Sequence, residues 1–88
     1  MTKPVAVVVG VGPGLGSAVA RRFAAAGMKV AVARRRAEEL AALAEEIGGK
    51  AYACDATEQD SVEALFAAVD GDMGSPEVVV YNAGAYNA

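Results

Sequence analysis

Val5 to Val9 is an unbroken run of alanine and β-branched valine closed by Gly10, the pattern of a short strand buried on both faces. From Gly14 the period changes. Leu15, Ala18, Val19, Arg22, Phe23 and Ala26 recur at three- and four-residue spacing until Gly27, which predicts a helix with the aliphatic stem of Arg22 on its apolar face. Met28 to Ala33 is a second apolar run. Arg36 to Ile47 reads as a second helix, with Leu40, Leu43, Ala44 and Ile47 on one side, Glu38, Glu39, Glu45 and Glu46 elsewhere, and Gly48-Gly49 at its end. Lys50 to Cys54 is a third strand. In Thr57-Glu58-Gln59-Asp60 the threonine hydroxyl is expected to cap a third helix, with the acid three residues on completing the cap. That helix carries Val62, Leu65, Phe66 and Val69, Gly71 to Pro76 forms a loop, and Glu77 to Tyr81 is a fourth strand running into Asn82-Ala83-Gly84.

Strands and helices alternate throughout, with no linker, repeat or low-complexity segment. Such alternation predicts an α/β fold built from right-handed crossovers, with a parallel sheet and helices on both faces. Ligands of such sheets bind at the carboxyl ends of the strands.

Composition narrows the class. With 88 residues, 55% apolar and 22% charged, the chain is expected to form one folded domain, residues 1–88, with a small core. One cysteine makes no internal disulfide, which suits a reducing compartment, and without histidine a zinc site lacks ligands. Eight basic against eleven acidic side chains, a formal charge of −3, argue against nucleic acid as a partner and require any basic site to be local. The first twenty residues resemble a secretory signal in outline, with Lys3, an apolar run and Ala18-Val19-Ala20. The glycine and proline cluster after Val9 breaks that run, and the stretch is too short and too glycine-rich to span a bilayer, so the expected location is the cytoplasm, off the membrane.

The strongest chemical signal is Gly10-Val11-Gly12-Pro13-Gly14-Leu15-Gly16, between the first strand and the first helix. A helix start offers unpaired amides and partial positive charge to an anion, and glycines let the backbone come close to a phosphate. The dehydrogenase fingerprint G-x-G-x-x-G fails in both registers, meeting Leu15 or Ser17 where glycine is needed, and the NTPase loop fails for want of a following lysine. The alternative is a strand-to-helix turn without a ligand. The spacing that fits is G-x-x-x-G-x-G at Gly10, Gly14 and Gly16, and through it the chain resembles the short-chain dehydrogenase/reductase family.

At the end of the second strand a dinucleotide site meets the adenosine ribose, where an acid favours a free 2′-hydroxyl and arginine accommodates a 2′-phosphate. Ala33-Arg34-Arg35-Arg36 stands there, without an acid. Adjacent arginines at a helix start work against its dipole unless an anion compensates, and the guanidinium fork suits phosphate. Arg34 and Arg35 are therefore candidates for NADP in preference to NAD, with Arg36 less central. The competing reading is a solvated charge run paired with Glu38 and Glu39.

Further positions extend the resemblance over essentially the whole chain. Asp55, with Ala56 after it, matches the family's aspartate that contacts the adenine amino group, although a turn or capping carboxylate would look the same. Tyr81-Asn82-Ala83-Gly84 is similar to the family's N-N-A-G segment with tyrosine in place of the first asparagine, which implies Asn82, Ala83 and Gly84 as cofactor contacts. The cofactor set expected is thus Gly10, Gly12, Pro13, Gly14, Leu15, Gly16, Arg34, Arg35, Asp55, Ala56, Asn82, Ala83 and Gly84.

What the resemblance implies is a Rossmann-type sheet in the order 3-2-1-4, truncated after the fourth strand: the N-terminal half of an NAD(P)-dependent oxidoreductase that moves hydride between NADPH and a carbonyl or alcohol. The family's catalytic serine and Tyr-x-x-x-Lys lie beyond the Asn-Ala-Gly segment. Tyr52 and Tyr81 have alanine four residues on, no lysine follows Lys50, and Cys54 has no histidine to activate it. The 88-residue chain alone is therefore expected to be inactive. A non-catalytic nucleotide-binding module and a half-domain that self-associates through the fourth-strand edge are the alternatives.

Overall fold

In the computed structural model, which describes residues 3–10 and 15–81, the chain runs β1 (Val5–Val9), α1 (Leu15–Ala25), β2 (Lys29–Arg34), a 3₁₀ turn (Ala37–Leu40) leading into α2 (Ala41–Ile47), β3 (Lys50–Ala53), α3 (Gln59–Asp72) and β4 (Pro76–Tyr81). The strands form one parallel sheet in the order β3-β2-β1-β4. Val7 lies opposite Ala31 on one side and Val79 on the other. Opposite Val5 the register of β4 slips, so that Val5 pairs with Pro76 and Ala6 with Val78. Proline, which has no N–H to give a ladder, is tolerated here because it is the first residue of its strand.

Successive residues of β1 feed opposite faces of the sheet. Val5, Val7 and Val9 pack with Ala31, Ala33 and Cys54 against Leu65 and Val69 of α3. Val8, with Val30 and Val32 of β2, packs instead against Ala20 of α1 and Leu40, Leu43 and Ala44 of the second helical segment. This two-sided burial is why β1 is apolar at every position. Each of its fully buried valines contributes roughly 1.5 kcal/mol or more from removal of side-chain surface from water. A single crossover hand explains the layering. The steps β1 to β2 to β3 move in one direction and lay α1 and α2 on one face, whereas the step from β3 to β4 moves back and lays α3 on the other. The reversal lies between β1 and β4, and ligands of such sheets bind at the carboxyl ends of the strands on either side of it.

Three local expectations are corrected. The buried face of α1 is carried by Gly16 and Ala20, with Val19, Phe23 and Ala24 packed beside them, while Ala18, Arg22 and Ala26 are exposed. Gly16 and Ala20 are four residues apart and small, so the helix can lie close on the sheet. That close packing outweighs the longer apolar period. The start of α3 has Glu58 as its cap residue with no side-chain cap bond, and Thr57 stands one residue before the cap, in a turn with Asp55. Finally, α3 continues through Gly71 to Asp72, which shortens the expected loop before β4.

The turn from α2 into β3 depends on close backbone approach. Gly49 donates its N–H to the Ala44 carbonyl at 2.8 Å, and a Cβ there would collide with the carbonyl oxygen of Val30. On the surface of one layer, Arg21 donates from Nε and Nη2 to the two carboxylate oxygens of Glu46 at 2.7 and 3.2 Å, tying α1 to α2. Lys50 Nζ and the Tyr52 hydroxyl both donate to Asp72 Oδ2 at 2.8 Å, tying β3 to the end of α3. No helix among the described residues is long and apolar enough to cross a membrane.

Candidate functional site

The carboxyl ends of β1, β2 and β3 each deliver one of the segments singled out from the sequence. Gly10 follows β1 directly. Its φ of +84° is a backbone state that side chains resist, and its N–H is spent on the Ala33 carbonyl at 2.8 Å, at the end of β2. The turn leaving β1 is thus fastened to the neighbouring strand. Leu15 is the first residue of α1, whose first turn carries no acidic side chain, and Gly16 is buried at the helix start. Gly12, Pro13 and Gly14 lie outside the described residues, as do Asn82, Ala83 and Gly84.

Arg34 is the last residue of β2, paired in register with Ala53 of β3. Its Nη1 stands 3.1 Å from Oε1 of Glu39, while Arg36 Nη1 stands 3.9 Å from the other oxygen, Oε2, of the same carboxylate. Arg35 points the other way, with Nε 3.9 Å from Oδ1 of Asp55. The Arg34 side chain is 33% exposed, against 76% for Arg35 and 73% for Arg36. Arg34 is therefore the most firmly placed of the three. Ion pairs this open to water are weak and leave the guanidiniums available to a more highly charged anion.

Asp55 follows β3 through Cys54. Its backbone N–H donates to Ser61 Oγ at 2.9 Å, and its carboxylate Oδ1 accepts from the Thr57 hydroxyl at 2.6 Å and the Thr57 N–H at 3.0 Å. This is an Asx-type turn, and it places Thr57 in the turn before α3, with Glu58 at the cap position. The Thr57 hydroxyl, then its N–H, and lastly the charge of Arg35 hold the Asp55 carboxyl below its ordinary range. Ala56 is half-buried against the α3-side core. Cys54 is buried in the same core.

The structure brings Gly10, the start of α1, Arg34, Arg35, Asp55 and Ala56 to one end of the sheet. Sequence reasoning named Glu38 and Glu39 together as partners of the arginines; Glu39 takes Arg34 and Arg36. The i to i+3 spacing of Arg36 and Glu39 was the signal for the second contact. The proximity of Arg35 to Asp55, and the contact of Ser61 with the Asp55 amide, had none. Sequence reasoning also missed the cluster of Lys50, Tyr52 and Asp72. There Tyr52 is pushed above its ordinary pKa, first by partial burial and then by the Asp72 carboxylate, the wrong direction for a phenol that must give up a proton near neutrality.

The parallel sheet order β3-β2-β1-β4, with helices on both faces, defines a Rossmann-type α/β fold. Residues 4–88 match the family described as short chain dehydrogenase, and the chain belongs to that family. It is 35% identical over 85 residues to D-threitol dehydrogenase of Mycolicibacterium smegmatis, covering 91% of this chain and 33% of the relative. Against serine 3-dehydrogenase of Agrobacterium fabrum the identity is 40% over 80 residues, covering 89% and 32%. Among solved structures, an actinorhodin polyketide ketoreductase with NADPH superposes with a TM-score of 0.86 at 34% identity, covering 96% of this chain and 35% of that one. A metagenomic short-chain oxidoreductase in complex with NADP gives 0.78 at 34% identity, covering 90% and 38%. The chain thus spans about a third of the length of these relatives.

Proposed function

We propose that this chain is the NADP(H)-binding portion of a short-chain dehydrogenase/reductase. The observation that carries the reading is Arg34 at the carboxyl end of β2, where an NAD-selective site would hold an acid, with Arg35 and Arg36 beside it. The residues fit the cofactor. Positive φ at Gly10 and an acid-free first turn in α1 suit a pyrophosphate, and an arginine that is two-thirds buried suits a 2′-phosphate. In this reading Gly10, Gly12, Pro13, Gly14, Leu15 and Gly16 hold the pyrophosphate. Arg34 and Arg35 hold the 2′-phosphate, Asp55 and Ala56 line the adenine, and Asn82, Ala83 and Gly84 line the cofactor ribose. The bound cofactor would supply hydride for interconverting a carbonyl and an alcohol in the whole protein. The chain's own part is binding and orientation, and none of its residues is assigned a catalytic role.

Titration with NADP, NAD and 2′-phospho-ADP-ribose tests the reading. Binding of the phosphorylated ligands should be tighter than that of NAD, and Arg34→Ala with Arg35→Ala should remove the difference. Equal affinity for NADP and NAD in the unaltered chain would overturn the preference.

A second reading has one observation in its favour. Val79 and Tyr81 of β4 are 41% and 51% exposed, and β4 pairs with β1 alone among the described residues. A half-domain that self-associates through β4 would cover them. Light scattering on a sizing column separates the two, since a monomer at micromolar concentration excludes the association.

A further inference from the structure

We infer that Glu39 is a built-in competitor for the 2′-phosphate and sets how strongly the site discriminates between the phosphorylated and unphosphorylated cofactor. The inference rests on the proposed role of Arg34. Two guanidiniums converge on one carboxylate, Arg34 on Oε1 at 3.1 Å and Arg36 on Oε2 at 3.9 Å. Glu39 sits in the 3₁₀ turn that follows directly on the arginine run, so its backbone stays within side-chain reach of them. A phosphate reaching Arg34 must therefore displace this carboxylate or share the arginine with it, and in either case a negative charge close by opposes it. Arg35 does not relieve the conflict, because its nearest acid is Asp55 rather than Glu39. NAD carries no phosphate at this position, so the Glu39 charge does not repel it. The effect of Glu39 should thus fall on the affinity for NADP and hardly on that for NAD. It should be modest, since pairs this exposed are weak.

The neighbouring Glu38 provides the control. It lies in the same turn and bears the same charge, but the arginines are placed on Glu39. In Glu39→Gln, which keeps the shape and removes the charge, NADP should bind about two- to fivefold more tightly while NAD is unchanged. Glu38→Gln should move NADP affinity much less. In an Arg34→Ala background the gain from Glu39→Gln should shrink, as expected of residues that act through one contact. Unfolding midpoints of each variant, measured alongside, confirm that folded protein is being compared. If Glu39→Gln leaves NADP affinity unchanged while Arg34→Ala weakens it, the competitor role is overturned and the NADP reading stands. Equal gains from Glu38→Gln and Glu39→Gln would also overturn it, in favour of a general charge effect. If Arg34→Ala leaves NADP affinity untouched, the NADP reading fails and the competitor role with it.

Discussion

The backbone N–H of Cys54 donates to the carbonyl oxygen of Arg34 at 2.9 Å, extending the β2–β3 ladder one residue past the strand. The contact holds the two site segments together: the arginines leave on one side of it and Asp55 on the other. Because Cys54 is buried in the α3-side core, the geometry of the candidate site is anchored in core packing rather than in the exposed ion pairs.

The Asp55 turn should depend on Ser61. Its hydroxyl oxygen is the acceptor for the Asp55 amide, and Ser61→Ala removes it from a partly buried position. The expected cost is about 1 kcal/mol, with faster hydrogen exchange at the Asp55 amide and no change at Gly10. Unaltered exchange at Asp55 would count against the role given to this bond.

Two glycine substitutions should act in opposite directions. Gly49→Ala places a methyl against the Val30 carbonyl oxygen, a backbone atom that moves only with β2, and should lower stability by about 1–3 kcal/mol. Gly71→Ala meets nothing within 4 Å and lies inside α3, so it should raise stability by about 0.5–1 kcal/mol through the lower entropy of its unfolded state. Denaturant midpoints of the two variants measure both effects.

The packing of α1 gives a second pair. Ala20→Leu forces a larger side chain between α1 and the sheet and should cost about 1–3 kcal/mol. Ala18→Leu adds the same atoms on the exposed side and should change stability by less than about 0.5 kcal/mol. Equal losses at the two positions would mean that the helix face is misassigned.

Acid should weaken the fold through Asp72. Lys50 first, then the Tyr52 hydroxyl, hold its carboxyl below the ordinary range by donating hydrogen bonds to it. A pKa depressed in the folded state contributes stability that is fully present above the unfolded value of about 3.9 and is lost as pH falls through the lower folded value. Asp55 and Glu46 are depressed as well and share this window. Thermal midpoints should therefore hold steady above about pH 5 and drop below about pH 4, and in Asp72→Asn the drop should be shallower. A drop as steep in Asp72→Asn as in the parent would remove Asp72 from this account.

The amino-acid sequence by itself determined the strands, the helices and the end of the sheet where the site lies. Apolar runs such as Val5 to Val9, and the three- and four-residue spacing of Leu40, Leu43, Ala44 and Ile47, are local patterns, and crossover handedness turns their order into a parallel sheet. Gly10, Arg34 and Asp55 could be placed at the strand ends for the same reason. What only the tertiary structure decided is which side chain meets which partner. Ala20 rather than Ala18 faces the sheet because small residues permit close helix approach. Thr57 donates its hydroxyl to the Asp55 carboxylate in the turn before α3, and Glu58 stands at the cap position. Glu39, not Glu38, receives Arg34, because the 3₁₀ turn brings that carboxylate back over the end of β2. Periodicity reports which face of an element is apolar; it does not report where a flexible charged side chain finds its partner.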